Sequence, residues 1–253
     1  MAIKFELTKA TEALQLELVK RQVDAIIPCQ VKVAMDVSGS FDDEHRDGYT
    51  QDLLNRFVPF ALLFDKDGVI DSYTFASYAG KLPLITADNY ASYIRKEVIG
   101  CYGYNGATYY VPVLRLIDQE ASPQDTVVEA QPARKASWLG KLAGQKDQPA
   151  VEAHVIKGEI EKELIFFVTD GESSDTEASL EYIQKMSKKN IFFVFIGVGT
   201  SISLFRDCFA DTPSSIYLEL SKSEIRDLKN WTDEQIYDRL LQPSLINWMN
   251  KPV

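Results

Sequence analysis

Residues 164–169 (Leu-Ile-Phe-Phe-Val-Thr) and 191–198 (Ile-Phe-Phe-Val-Phe-Ile-Gly-Val) are near-continuous apolar runs. A strand can be apolar at successive positions when both of its faces are covered, as in a parallel sheet flanked by helices. Residues 31–36 form a further short strand that ends in Asp36, and 215–220 the last one. Residues 69–75 and 81–85, joined by a short link, are expected to pair antiparallel at one edge. The fold class is therefore α/β: a doubly wound, Rossmann-like, mostly parallel six-stranded sheet with one antiparallel edge strand and helices on both faces.

Helices are expected between these strands. Residues 8–27 repeat Leu16, Val19, Val23 and Ile27 at spacings of three and four, with Thr8 as cap and Pro28 marking the end. Residues 47–64 carry a broad apolar face, and Pro59 should kink or break it. Further helices are expected at 88–98, at 109–116 with Pro112 in its first turn, at 176–188 capped by Asp175, at 203–209, and from the capping box Thr232-x-x-Gln235 to 241. The tail after Pro243, with Trp248, reads as packed apolar cover. Residues 65–68 (Asp-Lys-Asp-Gly) read as a turn. Residues 41–47 read as a solvated polar loop with His45 at the surface. Gly197-Val-Gly199 has two glycines of a dinucleotide loop but lacks the third.

The chain has 253 residues, and one domain with an insertion is the economical reading. Residues 118–163 are polar and mixed in charge, with Pro123, Pro132 and Pro149. An unstructured loop of that length is unusual inside a compact domain, so the stretch reads as an insertion. Its middle, 133–142, is locally basic and carries Trp138, Leu139 and Leu142. It reads as a short helix folded back on its own domain or as a docking segment for a partner. It should emerge at the pole opposite Asp36.

Asp36-Val37-Ser38-Gly39-Ser40 sets three oxygen-bearing side chains at alternate positions, so they share one side if the turn stays extended. A carboxylate with two hydroxyls is hard-oxygen chemistry that suits Mg²⁺ better than zinc. The same spacing also makes ordinary turns. Two later stretches strengthen the metal reading: Asp170-Gly171, closing the run from 164, and the glycine-containing loop Tyr104-Asn105-Gly106-Ala107-Thr108. In open parallel sheets, ligands gather outside the carboxyl ends of the strands, where Asp36 and Asp170 would both lie.

In order and spacing, Asp36-x-Ser38-x-Ser40, Thr108 and Asp170-Gly171 resemble the metal-ion-dependent adhesion site (MIDAS) of von Willebrand factor A (vWA) domains, over about residues 30–240. Phe64-Asp-Lys-Asp-Gly68, Tyr73-x-Phe75, Asn105-Gly-Ala-Thr108 and the N-terminal helix are similar to the bacterial tellurium-resistance, TerF-type vWA proteins. The resemblance implies a metal held by Asp36, Ser38, Ser40 and Thr108, with Asp170 acting directly or through a water. The cation would be Mg²⁺, with Mn²⁺ or Ca²⁺ possible. A protein partner would complete its shell with an Asp or Glu carboxylate. Glu172, Ser173, Tyr104 and Asn105 would form the rim that the partner meets. It also implies a scaffold in a tellurium-resistance or stress-response system.

An enzyme is the alternative. A hydrolase or phosphatase using the same site would need a base, and only Asp42, Asp43, Glu44 or Glu172 is at hand. An aspartyl-phosphate phosphatase would place a second carboxylate two residues after its nucleophile, where this chain has Ser38. A formal net charge of −10 argues against nucleic acid as partner. No apolar run is long enough for a transmembrane helix and no signal peptide is apparent. Cys29, Cys101 and Cys208 are scattered and odd in number, which fits core or half-buried thiols in a reduced, cytoplasmic chain.

Overall fold

A computed structural model describes residues 2–23, 26–121, 126–128, 154–156 and 162–251. The chain divides into two compact units, residues 1–119 with 161–253, and residues 120–160.

The larger unit is built on a seven-stranded sheet. Its strands are β1 (Cys29–Asp36), β2 (Ile70–Phe75), β3 (Ala79–Ile85), β6 (Lys162–Thr169), β7 (Ile191–Val198), β8 (Asp211–Thr212) and β9 (Ser215–Leu220), in the order β3-β2-β1-β6-β7-β9-β8. β1 runs parallel to both β2 and β6, and β6, β7 and β9 continue parallel. β3 is the expected antiparallel edge. The two-residue β8 adds a second antiparallel edge that so short a segment does not announce. From β1 the chain first builds outward through β2 and β3, then returns to β6 on the other side. The order therefore reverses between β1 and β6, whose carboxyl ends carry Asp36 and Asp170.

The helices are α1 (Ala2–Lys20), α2 (Asp42–Arg46), α3 (Tyr49–Phe64), α4 (Val111–Glu120), α5 (Thr176–Met186), α6 (Ser203–Cys208), α7 (Lys222–Asp227), α8 (Asp233–Leu240) and α9 (Pro243–Asn250). On one face, Phe57 of α3 stacks on Phe166 at 4.1 Å, within a core that includes Val31, Val33, Leu164, Val194, Leu14 and Leu18. On the other, Phe195 stacks on Phe205 at 4.1 Å, and Tyr110 and Phe167 join the cluster. Both faces of β6 and β7 are buried, as their apolar runs require.

Several expectations are corrected by the structure. α1 starts and ends earlier than 8–27, and its buried stripe is Leu7, Leu14 and Leu18, while Leu16 and Val19 are each 57% exposed. The helix stops well before Pro28. Gln22 takes φ +62°, Val23 N–H donates to Leu18 O and Gln22 N–H to Val19 O, a Schellman stop with Val23 and Leu18 buried beside it. Pro59 lies inside an unbroken α3. Residues 88–98 form a 3₁₀ turn and a π turn rather than an α-helix. There Gln51 of α3 takes the Ile94 amide at 3.1 Å and donates to Tyr90 O at 2.7 Å, in competition with the local ladder. Residues 41–47 are largely helical rather than a loop, and Glu44 and His45 are buried. Cys208 is exposed, not core. α7 opens on a second capping box, Ser221 with Glu224, beside the expected one at Thr232.

Gly197 lies inside β7, and packing accounts for it: a Cβ there would fall 2.4 Å from Tyr217 Oη. That hydroxyl accepts from Ile202 N at 2.9 Å, so the ring cannot yield freely. Gly197→Ala is expected to destabilise the protein by about 1–3 kcal/mol, read as a lower midpoint in urea unfolding.

In the smaller unit, β4 (Thr126–Val128) and β5 (His154–Ile156) pair antiparallel. The helix or docking segment expected at 133–142 lies outside the described residues, as does most of the insertion expected at 118–163. α4 runs to Glu120, inside that range. Among the described residues, no helix is long and apolar enough to cross a membrane.

Candidate metal centre

Asp36 is the last residue of β1 and is fully buried. Its Oδ1 accepts from Ser38 N at 2.7 Å, the local loop that a strand-ending Asp makes two residues on. Its Oδ2 accepts from Thr169 Oγ1 at 2.5 Å. Ser38 and Ser40 hydroxyls lie 3.2 Å apart, and Ser40 donates to Asp170 Oδ1 at 2.9 Å. Asp36, Ser38, Ser40 and Asp170 are thus one cluster joined by hydrogen bonds.

Thr108 reaches the same end of the sheet on its own loop. Asn105 N donates to Val37 O at 2.8 Å, Gly39 N to Gly106 O at 3.1 Å, and Ser174 N to Thr108 O at 2.8 Å. The loop is laced to both strand ends through its backbone, while the Thr108 hydroxyl makes no hydrogen bond among the described residues. Gly106 permits the close approach, since a Cβ would stand 2.8 Å from Ser77 Oγ and 2.9 Å from Ser77 N.

Four residues that sequence reasoning did not place here support the cluster. Thr169 is the buried hydroxyl on Asp36; its only signal was to be the polar end of an apolar run. His45, expected at the surface, is 2% exposed, with Nε2 2.8 Å from Asp36 O and Nδ1 2.8 Å from Thr50 Oγ1. Tyr110 donates to Gly171 O at 2.5 Å and holds the turn after Asp170. Asp175 does not cap its own helix by side chain. It accepts from the Tyr110 and Val111 amides at 2.9 and 3.0 Å, and so caps α4 across the loop.

The electrostatics follow from burial. Desolvation pushes the Asp36 carboxyl above its ordinary range, against its hydrogen bonds from Thr169 and Ser38. Asp170 is pushed up to about 6, first by burial and then by the charge of Asp36. Burial also pulls the His45 ring down to about 4, so it is neutral at pH 7. Asp175 is raised by burial, but hydrogen bonds from Ser173, Tyr110, Val111 and Ser179 outweigh this and hold it low.

Glu44 is only 8% exposed, and its charge also bears on Asp170. Among the described residues, none of Asp36, Glu44 and Asp170 forms an ion pair. Buried negative charge without a cationic partner is costly, and a divalent cation relieves it. No group of three His, Cys, Asp or Glu among the described residues could hold a metal by itself. A cation here would rest on hydroxyls as well, the donor set that Mg²⁺ accepts. The residues fit such an ion.

The expected rim divides. Asn105 is exposed at φ +64°. Glu172 is exposed, and its Oε1 accepts from Ser203 N and Oγ, both at 2.5 Å. Tyr104 is half-buried and donates to Asp42 Oδ1 at 2.5 Å. Ser173 is turned inward instead: it is buried, and its hydroxyl donates to Asp175.

Residues 28–252 match the family described as vWA-TerF-like, the vWA found in the TerF C terminus. The uncharacterized protein YcbR of Bacillus subtilis (strain 168) is 19% identical over 236 residues, spanning 91% of this chain and 81% of that protein. Proximal thread matrix protein 1 from the mussel byssus, solved with a zinc-occupied MIDAS motif, is 13% identical with a TM-score of 0.49. That match covers 81% of this chain and 47% of the other, so the chain spans about half the length of the thread protein. Manganese-loaded TRAP protein of Plasmodium vivax is 18% identical with a TM-score of 0.49, over 79% of this chain and 71% of that one.

Proposed function

The chain belongs to the vWA-TerF-like family, and from that premise we propose that it is a metal-dependent protein-binding domain whose cation is held by Asp36, Ser38, Ser40, Thr108 and Asp170. The observation that carries this reading is a hydrogen-bonded cluster of carboxylates and hydroxyls that runs from buried Asp36 and Ser38 to half-buried Asp170 and exposed Ser40, with no cationic side chain paired to it among the described residues. Its charge and oxygen donors favour Mg²⁺, with Mn²⁺ or Ca²⁺ as alternatives. When bound, the cation supplies a positive centre that can accept an oxygen from outside. Few direct protein charges would leave it able to take an Asp or Glu carboxylate from a protein partner. Glu172, Tyr104 and Asn105 then tune what approaches.

Two of the four carboxylates that a hydrolase could use as base are already engaged. Asp42 is paired with Arg46 at 2.7 Å and accepts from Tyr104, and Glu172 is engaged by Ser203. The family points to a scaffold in a tellurium-resistance or stress-response system. Three free cysteines, at 29, 101 and 208, are consistent with a cytoplasmic setting.

The test is calorimetric titration of Mg²⁺, Mn²⁺ and Ca²⁺ into metal-stripped protein. One cation per chain is expected. Thr108→Ala is expected to weaken it by at least about tenfold, since even groups outside the ligand shell are worth 10–100-fold. Absence of saturable binding by any of the three in folded protein sinks the reading.

A further inference from the structure

The imidazole of His45 is enclosed by Phe41 and Tyr104, at ring-centroid distances of 4.9 and 6.2 Å. Its Nε2 faces the carbonyl oxygen of Asp36, and a carbonyl only accepts, so Nε2 carries the proton. In the neutral ring Nδ1 then has only a lone pair, and the fully buried Thr50 hydroxyl must donate to it. Both nitrogens are occupied, which leaves His45 no lone pair for a metal. What it does instead is connect α2, and through Thr50 the first turn of α3, to the last peptide of β1.

That peptide is where the cluster begins. The ladder between β1 and β6 ends at Met35, one residue earlier. Beyond Asp36 the backbone is fixed by Val37 N to Phe75 O, Asn105 N to Val37 O and Gly39 N to Gly106 O. These bonds hold the turn from the β2 side and from the Thr108 loop. The bond to Asp36 O holds it from the helix side.

We propose that His45 is a positioning residue of the candidate metal centre: by holding the Asp36 carbonyl, it fixes the peptide from which residues 37–40 depart, and so the directions of the Ser38 and Ser40 hydroxyls. Its consequence for a cation rests on the metal-binding reading above, whereas its hold on the turn does not.

The experiment compares wild type with His45→Phe, which keeps an aromatic ring but has no donor, and His45→Gln, which keeps an N–H. Thr50→Val serves as a variant that leaves the imidazole in place. Amide exchange is read at Val37, Ser38 and Gly39, with Val194 as an internal control, and Mg²⁺ affinity by titration. The chain has only two histidines, His45 and His154, so imidazole nitrogen spectra report the tautomer directly.

The expected result is an Nε2–H tautomer in wild type and exchange at 37–39 about tenfold or more faster in His45→Phe, with Val194 unchanged. Mg²⁺ affinity falls by about 10–100-fold in the same variant and recovers in part in His45→Gln. If His45→Phe does not fold, the same loosening is expected, in smaller degree, in Thr50→Val. An Nδ1–H tautomer, unaltered exchange, or faster exchange with undiminished Mg²⁺ affinity overturns the proposal. Faster exchange in a protein that binds no Mg²⁺ even as wild type supports the hold on the turn and defeats the metal reading instead.

Discussion

Asp36→Ala is expected to abolish Mg²⁺ binding while leaving the metal-free protein folded. The two halves of that result have separate physical origins. The carboxylate joins the Ser38 amide to the Thr169 hydroxyl, so its removal strands the buried Ser38 amide, at a cost of about 1–3 kcal/mol, and leaves the Thr169 hydroxyl only its longer bond to Gly171 O at 3.3 Å. It also removes a desolvated negative charge that raises Asp170, which offsets part of that loss. The core does not depend on this group: Val33, Met35, Phe166 and Val194 pack on the sheet regardless. With Asp36 gone, the cation loses the carboxylate that anchors the turn, and Ser38 and Ser40 are neutral oxygens that bind weakly by themselves. Thermal unfolding with and without Mg²⁺ separates the two halves. At 100 times the dissociation constant a ligand stabilises its protein by about 2.7 kcal/mol. Wild type should show that rise in Tm and the variant none. A variant that keeps the full Mg²⁺-dependent shift would move the cation to another place on the protein.

What the sequence made legible, and what it hid, divides by the range of the interactions. β6 and β7 could be read because burial on both faces leaves an apolar run in the chain itself. Asp36, Ser38 and Ser40 could be read because two-residue spacing is a local property of an extended turn. Bringing Asp170 to them needed only the rule that parallel strands end on one side. Two registers of α1 are open to the sequence, because Leu16 and Val19 satisfy a helical repeat with Val23 as well as Leu7, Leu14 and Leu18 do with one another, and in the fold Leu16 and Val19 face outward. Only the neighbouring helices α3 and α8 decide which stripe turns inward. His45 looked like surface because its partners, the Asp36 carbonyl and Thr50, mean nothing until α2 folds against β1. Asp175 stands where the sequence alone makes it the cap of the helix that follows. In the fold it serves amides 64 and 65 residues earlier in the chain. The π turn at Ile94–Val98 has the same cause, a side chain from α3 entering a distant ladder.

Lys32→Met is expected to cost about 3–5 kcal/mol, the penalty for breaking a buried pair and leaving one charge behind. Lys32 Nζ lies 2.9 Å from Glu163 Oε1, with side chains 1% and 6% exposed. Glu163 Oε2 has no hydrogen-bond partner among the described residues. Burial already pushes the Glu163 carboxyl above its ordinary range, against the pull of Lys32. Without Lys32 the pull vanishes and the folded value rises further above the unfolded one. A carboxyl raised by folding stabilises the fold when protonated, so the variant's deficit should shrink as pH falls through that folded value and be complete above it. Removing both charges tells a different story. Lys32→Met with Glu163→Leu replaces the pair by apolar groups, a change that is often neutral or stabilising, so the double variant should recover most of the loss. Urea unfolding of the single and double variants across pH measures both effects. Equal destabilisation of the two at every pH would mean that the space Lys32 fills matters, and that its charge does not.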